Sequence, residues 1–253
     1  MIELKSRDEI SRMRAASAVV AEVLATLREH AKPGVTTGEL DVIAEDLTRK
    51  RGAKPAFKGY VVQGRTFNHS VCISINEEVI HGVPSKKRVL KEGDIVGLDF
   101  GVSIDGYYGD SAMTVPVGTV SPAAQRLMDV TKAALQAGID AVRPGNYIAD
   151  VSAAIQDVAE SAGYSLVREF VGHGIGRKLH EDPQVPNYRT GTRGVQIKEG
   201  LVIAIEPMVN EGSAEVYLRD DGWTAVTRDG RLSAHFEHSV AATADGPYIL
   251  TLP

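Results

Sequence analysis

The chain carries an internal repeat, in which a pair of predicted helices recurs 111 residues later. Apolar residues at spacings of three and four predict a first helix over 10–27, which ends before Pro33-Gly34, and a second helix over 37–50. Seven residue pairs keep their type and helical phase at this offset: Pro33 and Pro144, Gly34 and Gly145, Glu39 and Asp150, Leu40 and Val151, Ala44 and Ile155, Leu47 and Val158, Gly52 and Gly163. This agreement indicates an internal duplication.

Strand-like sequence follows each helix pair. These segments span 71–80, 94–117, 201–205 and 222–242. Helices followed by strands, twice over, predict an α+β fold with two similar halves, roughly 1–118 and 119–253, within a single domain 1–253. The alternative is two independent small domains, but no Ser/Gly-rich or charged linker separates the halves.

Charge and cysteine content restrict the class of protein. Lys and Arg total 28 against 33 Asp and Glu, a net charge of −5 with no basic cluster, which argues against nucleic-acid binding. Cys72 is the only cysteine, so no intrachain disulfide can form and a reducing compartment is expected. The first residues do not form a signal peptide, and no apolar run approaches the roughly 20 residues of a membrane span. We therefore expect a cytoplasmic protein without membrane association.

A hairpin predicted at Asp105-Gly106 places two carboxylates on one face of a sheet. Closing the turn there puts Asp99 opposite Ala112, two residues beyond Asp110. The two carboxylates are then diagonal neighbours within about 8 Å, and they repel each other unless a divalent cation neutralises them. The alternative is an exposed face on which both side chains are hydrated.

Two further carboxylates lie in strand-like sequence. Glu206 ends the apolar run 201–205, where an acidic side chain is more often functional than structural. Glu237 lies on the polar side of the alternating last strand, which follows the Asp229-Gly230 turn. Taken alone, that alternation favours a solvent-exposed face for Glu237.

Three histidines lie in turns flanked by glycine or proline. His173 lies within the glycine-rich segment 172–176, His81 precedes Gly82, and His180 lies seven residues after His173. A single histidine is usually structural, but three in such turns favour a functional role. The sequence has no Gly-x-Ser-x-Gly elbow, phosphate loop or thiolate zinc site. The remaining donor set of carboxylates and imidazoles suits divalent Mn, Fe, Co or Zn.

The ordered set of Asp99, Asp110, His173, Glu206 and Glu237 resembles the metal ligands of type I methionine aminopeptidases, which have the pita-bread fold. The resemblance covers essentially the whole chain, and the pseudo-twofold symmetry of that fold explains the 111-residue repeat. The motifs that carry it, in family order, are Ser74-Ile-Asn-Glu-Glu-Val-Ile-His-Gly-Val-Pro84, Asp99-Phe-Gly101, Gly109-Asp-Ser111, Gly172-His-Gly-Ile-Gly176, His180-Glu-Asp-Pro183, Ile205-Glu-Pro207 and Phe236-Glu-His238.

The resemblance implies a metalloexopeptidase that removes the N-terminal methionine from nascent proteins and peptides and prefers a small second residue. It implies two divalent metal ions, drawn from Co, Mn, Fe or Zn. Asp99 would bind one ion, His173 and Glu206 the other, and Asp110 and Glu237 both. It further implies a monomer that contacts the ribosome transiently.

Catalytic roles also follow from the resemblance. Glu206 would accept a proton from the attacking water, His180 would stabilise the oxyanion or the backbone of the second residue, and His81 would contact the scissile amide. The residues implied for substrate binding are Tyr60, Cys72, His81, His180 and Trp223. All of these except His180 would line the methionine pocket, with Phe67 as a further candidate.

The sequence departs from the family pattern at three places. Leu179 stands where the family usually has Phe, His235 replaces a commoner Gln, and the loop 57–69 is longer than usual. Two other assignments remain open. A proline-specific aminopeptidase of the same fold would share the five ligands but usually carries a further N-terminal domain. A non-catalytic pita-bread binding protein would have lost ligands that this sequence retains.

Overall fold

The computed structural model describes residues 2–253, and its helices confirm the internal repeat. The four helices are α1 (Arg7–His30), α2 (Thr37–Lys50), α3 (Pro122–Asp140) and α4 (Ile148–Ser161). Helices α2 and α4 have 14 residues each, and both of their ends are 111 residues apart. None of the helices within residues 2–253 combines the length and apolar character that a membrane span requires.

The two helix pairs are also connected in the same way. The Glu39 carboxylate accepts a hydrogen bond from the backbone N–H at the start of α2, and Asp150 does so at the start of α4, each at 2.7 Å. In the turns before these helices, Gly34 and Gly145 have φ values of +92° and +100°. The repeat therefore extends to turn residues that only glycine adopts easily.

We expect Gly34→Ala and Gly145→Ala to destabilise the protein by similar amounts, about 1–2 kcal/mol each. An added Cβ meets no atom within 4 Å at either position, so the cost comes from the left-handed backbone alone. Urea denaturation measures the change, with Lys50→Ala as an exposed helical control expected to stay within about 0.5 kcal/mol. Clearly unequal losses would contradict an equivalent role for the two turns.

Within residues 2–253, seventeen strands accompany the helices. They are β1 (Lys54–Pro55), β2 (Val61–Val62), β3 (Arg65–Thr66), β4 (Cys72–Ile75), β5 (Glu78–Ile80), β6 (Ile95–Ile104), β7 (Tyr107–Pro116), β8 (Ser165–Leu166), β9 (Gly172–Gly174), β10 (Glu181–Val185), β11 (Val202–Ile205), β12 (Met208–Asn210), β13 (Val216–Leu218), β14 (Ala225–Thr227), β15 (Ser233–His235), β16 (Glu237–Thr243) and β17 (Gly246–Ile249).

One nine-stranded antiparallel sheet connects the two halves. Its order is β1-β6-β7-β16-β11-β9-β10, with β4 also on β6 and β17 also on β16. The β6–β7 hairpin has the predicted register, in which Asp99 pairs with Ala112 and Gly101 with Asp110. Strand β7 of the first half pairs with β16 of the second half, which places Glu237 opposite Ala112.

The helices cover one face of this sheet. Leu24 of α1 shares a buried cluster with Leu98 and Phe100 of β6, and α3 and α4 form a second cluster with β11. Side chains alternate along a strand, so Asp99, between Leu98 and Phe100, points to the opposite face. The helices therefore pack on one face of the sheet, and the carboxylate of Asp99 lies on the other.

The alternating segment after Gly230 is not a single strand with a hydrated face. The structure divides it at Phe236 into β15, in a three-stranded sheet, and β16, in the large sheet. Glu237 is 3% exposed, so the solvent-exposed position favoured by its local pattern is wrong. The reason is tertiary packing. Strand β16 lies between β7 and β11, and its face with Glu237 borders a cavity of about 250 Å³ rather than bulk water.

Candidate active site

Five neighbouring parts of the large sheet bring the predicted metal ligands to one cavity of about 250 Å³. Strands β6, β7, β9 and β16 each carry one ligand, and the fifth directly follows β11. These ligands are Asp99, Asp110, His173, Glu237 and Glu206, and all five line the cavity. Residues distant in sequence meet here because their strands are neighbours in the sheet.

The imidazole of His173 is oriented by its own strand. Its Nδ1 lies 2.9 Å from the Gly174 carbonyl oxygen, which can only accept, so Nδ1 carries the proton. The unprotonated Nε2 then faces the carboxylates, 3.6 Å from Glu206 Oε1 and 4.0 Å from Asp110 Oδ2. Burial, and after it the nearby His180, lowers the pKa of His173 to about 3. The ring is therefore a neutral donor at neutral pH.

The four carboxylates are buried together and disfavour one another's charge. Burial raises the pKa of Asp110 to about 7. Burial, and after it the charge of Asp110, raises the pKa of both Asp99 and Glu237 well above the ordinary range. Burial and then the charges of Asp99 and Asp110 do the same for Glu206. Without a compensating cation, this cluster retains protons that exposed carboxyl groups would release.

The donor set fits a divalent cation. Ligand atoms of Asp110, His173 and Glu237 lie within 4.8 Å of one another, and Asp99 and Glu206 line the same cavity outside that tight group. Asp110 Oδ1 and Glu237 Oε1 are buried without a hydrogen-bond partner. Within residues 2–253, no Lys or Arg forms an ion pair with any of the four carboxylates. Buried negative charge without a protein cation is the arrangement that a divalent metal ion stabilises.

Two further histidines border the cavity. Nδ1 of His180 lies 2.9 Å from the Tyr60 hydroxyl, and its ring centroid lies 4.4 Å from that of His173. His81 has a left-handed backbone, with φ +58°, and the ring of Phe170 contacts it edge-on at 5.7 Å. Burial, and then His180, lowers the pKa of His81 to about 4. Both predicted catalytic histidines thus lie beside the metal-ligand cluster.

An apolar pocket adjoins the ligands. Phe67 is 3% exposed, and Trp223 packs edge-on against it with ring centroids 5.2 Å apart. Cys72 is buried and pairs with Asp99 across β4 and β6. Burial, and after it the charge of Asp99, raises the pKa of the Cys72 thiol, so the neutral side chain forms an apolar wall.

Comparison with known proteins decides the family. The profile of metallopeptidase family M24 matches residues 11–244. The chain belongs to metallopeptidase family M24. The methionine aminopeptidase of Aquifex aeolicus is 49% identical and is aligned over 99% of this chain and 98% of that protein. The crystal structure of the methionine aminopeptidase from Thermotoga maritima matches with a TM-score of 0.96 and 45% identity over 100% of both chains. The predicted resemblance to methionine aminopeptidases is confirmed.

A likeness to a more distant solved structure agrees with the pita-bread fold. The prolidase from Pyrococcus furiosus matches with a TM-score of 0.78 at 23% identity, and the match covers 99% of this chain but 65% of that one. The full coverage of both chains and the higher identity place this M24 chain with the methionine aminopeptidases rather than with the proline-specific enzymes.

The departures from the family motifs have structural consequences in this M24 chain. Leu179 is buried and lines the cavity. His235 is buried near His81, and its Nε2 has no hydrogen-bond partner. The longer loop forms the β2–β3 hairpin, which brings Val62 to the cavity.

Two cavity residues are absent from the sequence prediction, Phe57 and Val62. Phe57 is an aromatic residue close to Tyr60, a weak signal that could have identified it. Nothing local distinguishes Val62 from an ordinary exposed valine, because its place at the cavity depends on how the hairpin packs.

Proposed function

We propose that this M24 protein removes the N-terminal methionine from peptides and newly made proteins by metal-dependent hydrolysis, with a preference for a small second residue. One observation carries the proposal: a single cavity connects the apolar pocket at Phe67, Cys72 and Trp223 to the carboxylate and imidazole donors. An unbranched apolar side chain can enter that pocket while its own peptide carbonyl lies at the donors.

The proposed centre holds two divalent ions of Mn, Fe, Co or Zn. Four carboxylates carry four negative charges, which two divalent ions balance. Asp99 would hold one ion, His173 and Glu206 the other, and Asp110 and Glu237 both. Such ions polarise carbonyl oxygens and lower the pKa of water toward 7.

The proton transfers are assigned to Glu206 and His81. Glu206 lies beside His173, with its Oε1 3.6 Å from Nε2, so its carboxylate can accept the proton of the attacking water. His81 is neutral at pH 7 because its pKa is about 4. The proton that Glu206 takes from the water passes to the leaving amine, and the neutral imidazole of His81 contacts the scissile amide from the edge of the cavity and assists departure of the amine.

His180 is assigned to the developing oxyanion. The Tyr60 hydroxyl lies on its Nδ1 side at 2.9 Å, and this contact orients the ring. Burial lowers the pKa of His180, so it acts as a neutral group. From this position it stabilises the oxyanion or the backbone of the second residue.

We attribute the preference for a small second residue to the narrow exit of the cavity. Beyond His81 and His180 the cavity opens into a groove that Phe170 and Val171 also line. The ring of Phe170 packs against His81, which narrows the path beside the scissile bond. A large second side chain would crowd these rings.

We expect chelator-treated protein to release methionine from Met-Ala-Ser only after Mn²⁺ or Co²⁺ is added. Met-Leu-Ser and Ala-Pro-Ser should remain intact, and mass spectrometry of the products measures all three peptides. Cleavage of Ala-Pro-Ser alone would instead indicate a proline-specific enzyme. No cleavage of any peptide, with metal binding demonstrated, would indicate a non-catalytic binding protein.

The broader setting is proposed on the same basis. Removal of methionine from nascent chains requires a cytoplasmic protein that meets the ribosome transiently, and we propose that it acts as a monomer. We also propose that residues 1–253 act as one catalytic domain. The pairing of β7 with β16, which joins strands of both halves beside the ligands, supports this.

A further inference from the structure

Lys5 is a buried cation in the segment that precedes α1. Its side chain is 2% exposed, and its Nζ lies 2.8 Å from Glu181 Oε2 and 3.4 Å from Glu3 Oε2. The Glu181 side chain is 13% exposed, whereas that of Glu3 is 66% exposed. The pair with Glu181 is therefore the shielded interaction, and it joins positions 176 residues apart.

Two glycines make room for this lysine. A Cβ at Gly176 would lie 2.3 Å from Lys5 Cε, and a Cβ at Gly200 would lie 2.6 Å from the Lys5 carbonyl oxygen. The Lys5 N–H also donates to the Gly200 carbonyl at 2.7 Å. Any larger residue at position 176 would clash with the side chain of Lys5, and any larger residue at position 200 would clash with its backbone.

Glu181 connects the lysine to the catalytic loop. While Oε2 accepts from Lys5, Oε1 accepts from the Lys178 N–H at 3.0 Å, so one carboxylate closes the loop 178–181 around His180. The Gly176 carbonyl accepts from the Tyr108 N–H at 2.9 Å, which ties the start of this loop to β7. The position of His180 therefore depends on a carboxylate that Lys5 holds.

We propose that Lys5 is a positioning residue for His180 and acts through Glu181. This inference rests on the proposed function, in which His180 stabilises the transition state. A buried carboxylate that loses its cation is left uncompensated and moves toward water. Such a movement of Glu181 would release the loop, and a displacement of about 1 Å at a reacting group can cost about a hundredfold in rate.

The variants are Lys5→Met, which keeps an unbranched stem beside Gly176, and Glu181→Gln, which keeps an acceptor for the Lys178 N–H. We expect each to lower kcat for Met-Ala-Ser about tenfold and to leave KM within about twofold. The matched control is Arg7→Met, because Arg7, the first residue of α1, is an exposed cation two residues from Lys5 and pairs with Glu199 at 3.9 Å. Its kcat should be unchanged.

A double-mutant cycle with His180→Ala separates positioning from general destabilisation. If Lys5 acts through His180, Lys5→Met should change kcat by less than about twofold in the His180→Ala protein. A second readout needs no activity: the imidazole nitrogen chemical shifts of His180 in metal-free protein should move in Lys5→Met and Glu181→Gln but not in Arg7→Met.

Equal tenfold losses with and without His180 would overturn the inference, as would wild-type kcat in both variants. If either Lys5→Met or Glu181→Gln fails to fold, the other variant takes its place in the double-mutant cycle. If the wild-type protein leaves Met-Ala-Ser intact, the proposed function is wrong. Shifts unmoved in both variants would separately overturn the link between Lys5 and His180.

Discussion

Glu237→Gln is expected to lower kcat/KM for Met-Ala-Ser about a thousandfold and to weaken Mn²⁺ binding at least about a hundredfold. Glu237 belongs to the tight donor group with Asp110 and His173, and its Oε1 is buried with no protein partner. Glutamine keeps the size of the side chain but has one neutral oxygen in place of two charged ones. The site would lose one negative charge and one ligand of the proposed metal centre together.

Steady-state kinetics and calorimetric titration of the chelator-treated protein with Mn²⁺ measure the two losses. Glu215→Gln is the matched control, because the Glu215 side chain is 71% exposed and pairs with Arg228 at 3.5 Å. Wild-type affinity for Mn²⁺ in Glu237→Gln would exclude this carboxylate as a ligand. Lost affinity with retained activity would exclude a catalytic role for the bound metal.

Local sequence was sufficient where a contact is formed by neighbouring residues. The Asp105-Gly106 turn, in which both residues have positive φ, determines the whole register of β6 and β7. The position of the turn alone therefore predicts that Asp99 and Asp110 lie on the same face of the hairpin. The helix repeat was equally accessible, because α2 and α4 have similar turns and capping carboxylates.

Local sequence does not predict contacts between distant segments of the chain. The alternation around Glu237 is compatible with a hydrated strand, and its burial results from the pairing of β16 with β7, more than 100 residues earlier in the chain. The resemblance to a known family identified Glu237 as a ligand, whereas the residue pattern alone favoured the wrong environment. Lys5 is a similar case, because a lysine before a helix has no local feature that predicts burial against Glu181.

The metal-free protein is expected to lose stability as the pH rises above about 6.5. The pKa of Asp110 is about 7 in the folded protein, against an ordinary value of 3.8. Between these values Asp110 binds more protons in the folded state than in the unfolded state, so its contribution to the free energy of unfolding falls with pH. Each excess proton contributes about 1.4 kcal/mol per pH unit. The raised pKa values of Asp99, Glu206 and Glu237 act in the same direction. The lowered pKa values of His81, His173 and His235 oppose this fall below about pH 6.5, because there the unfolded state binds more protons at these histidines.

A bound divalent metal should reverse this trend. Deprotonated carboxylates bind the cation, so the stabilisation by metal grows as the pH rises. Thermal unfolding of chelator-treated and Mn²⁺-loaded protein at pH 5, 6, 7 and 8 measures the difference in Tm. We expect this difference to be smallest at pH 5 and largest at pH 8.

Glu9 provides an internal check on this assignment. Hydrogen bonds from Ser6, the backbone N–H first, lower the pKa of Glu9 to about 2 from 4.5. Its contribution to stability is present above pH 4.5 and is lost as the pH falls toward 2. Ser6→Ala should therefore change acid unfolding below pH 4.5 and leave the slope between pH 5 and 7 intact. By contrast, Glu237→Gln should flatten the fall in stability above about pH 6.5, because it removes one of the mutually repelling carboxylates. An unchanged slope in Glu237→Gln would show that the pH dependence arises outside the metal-ligand cluster.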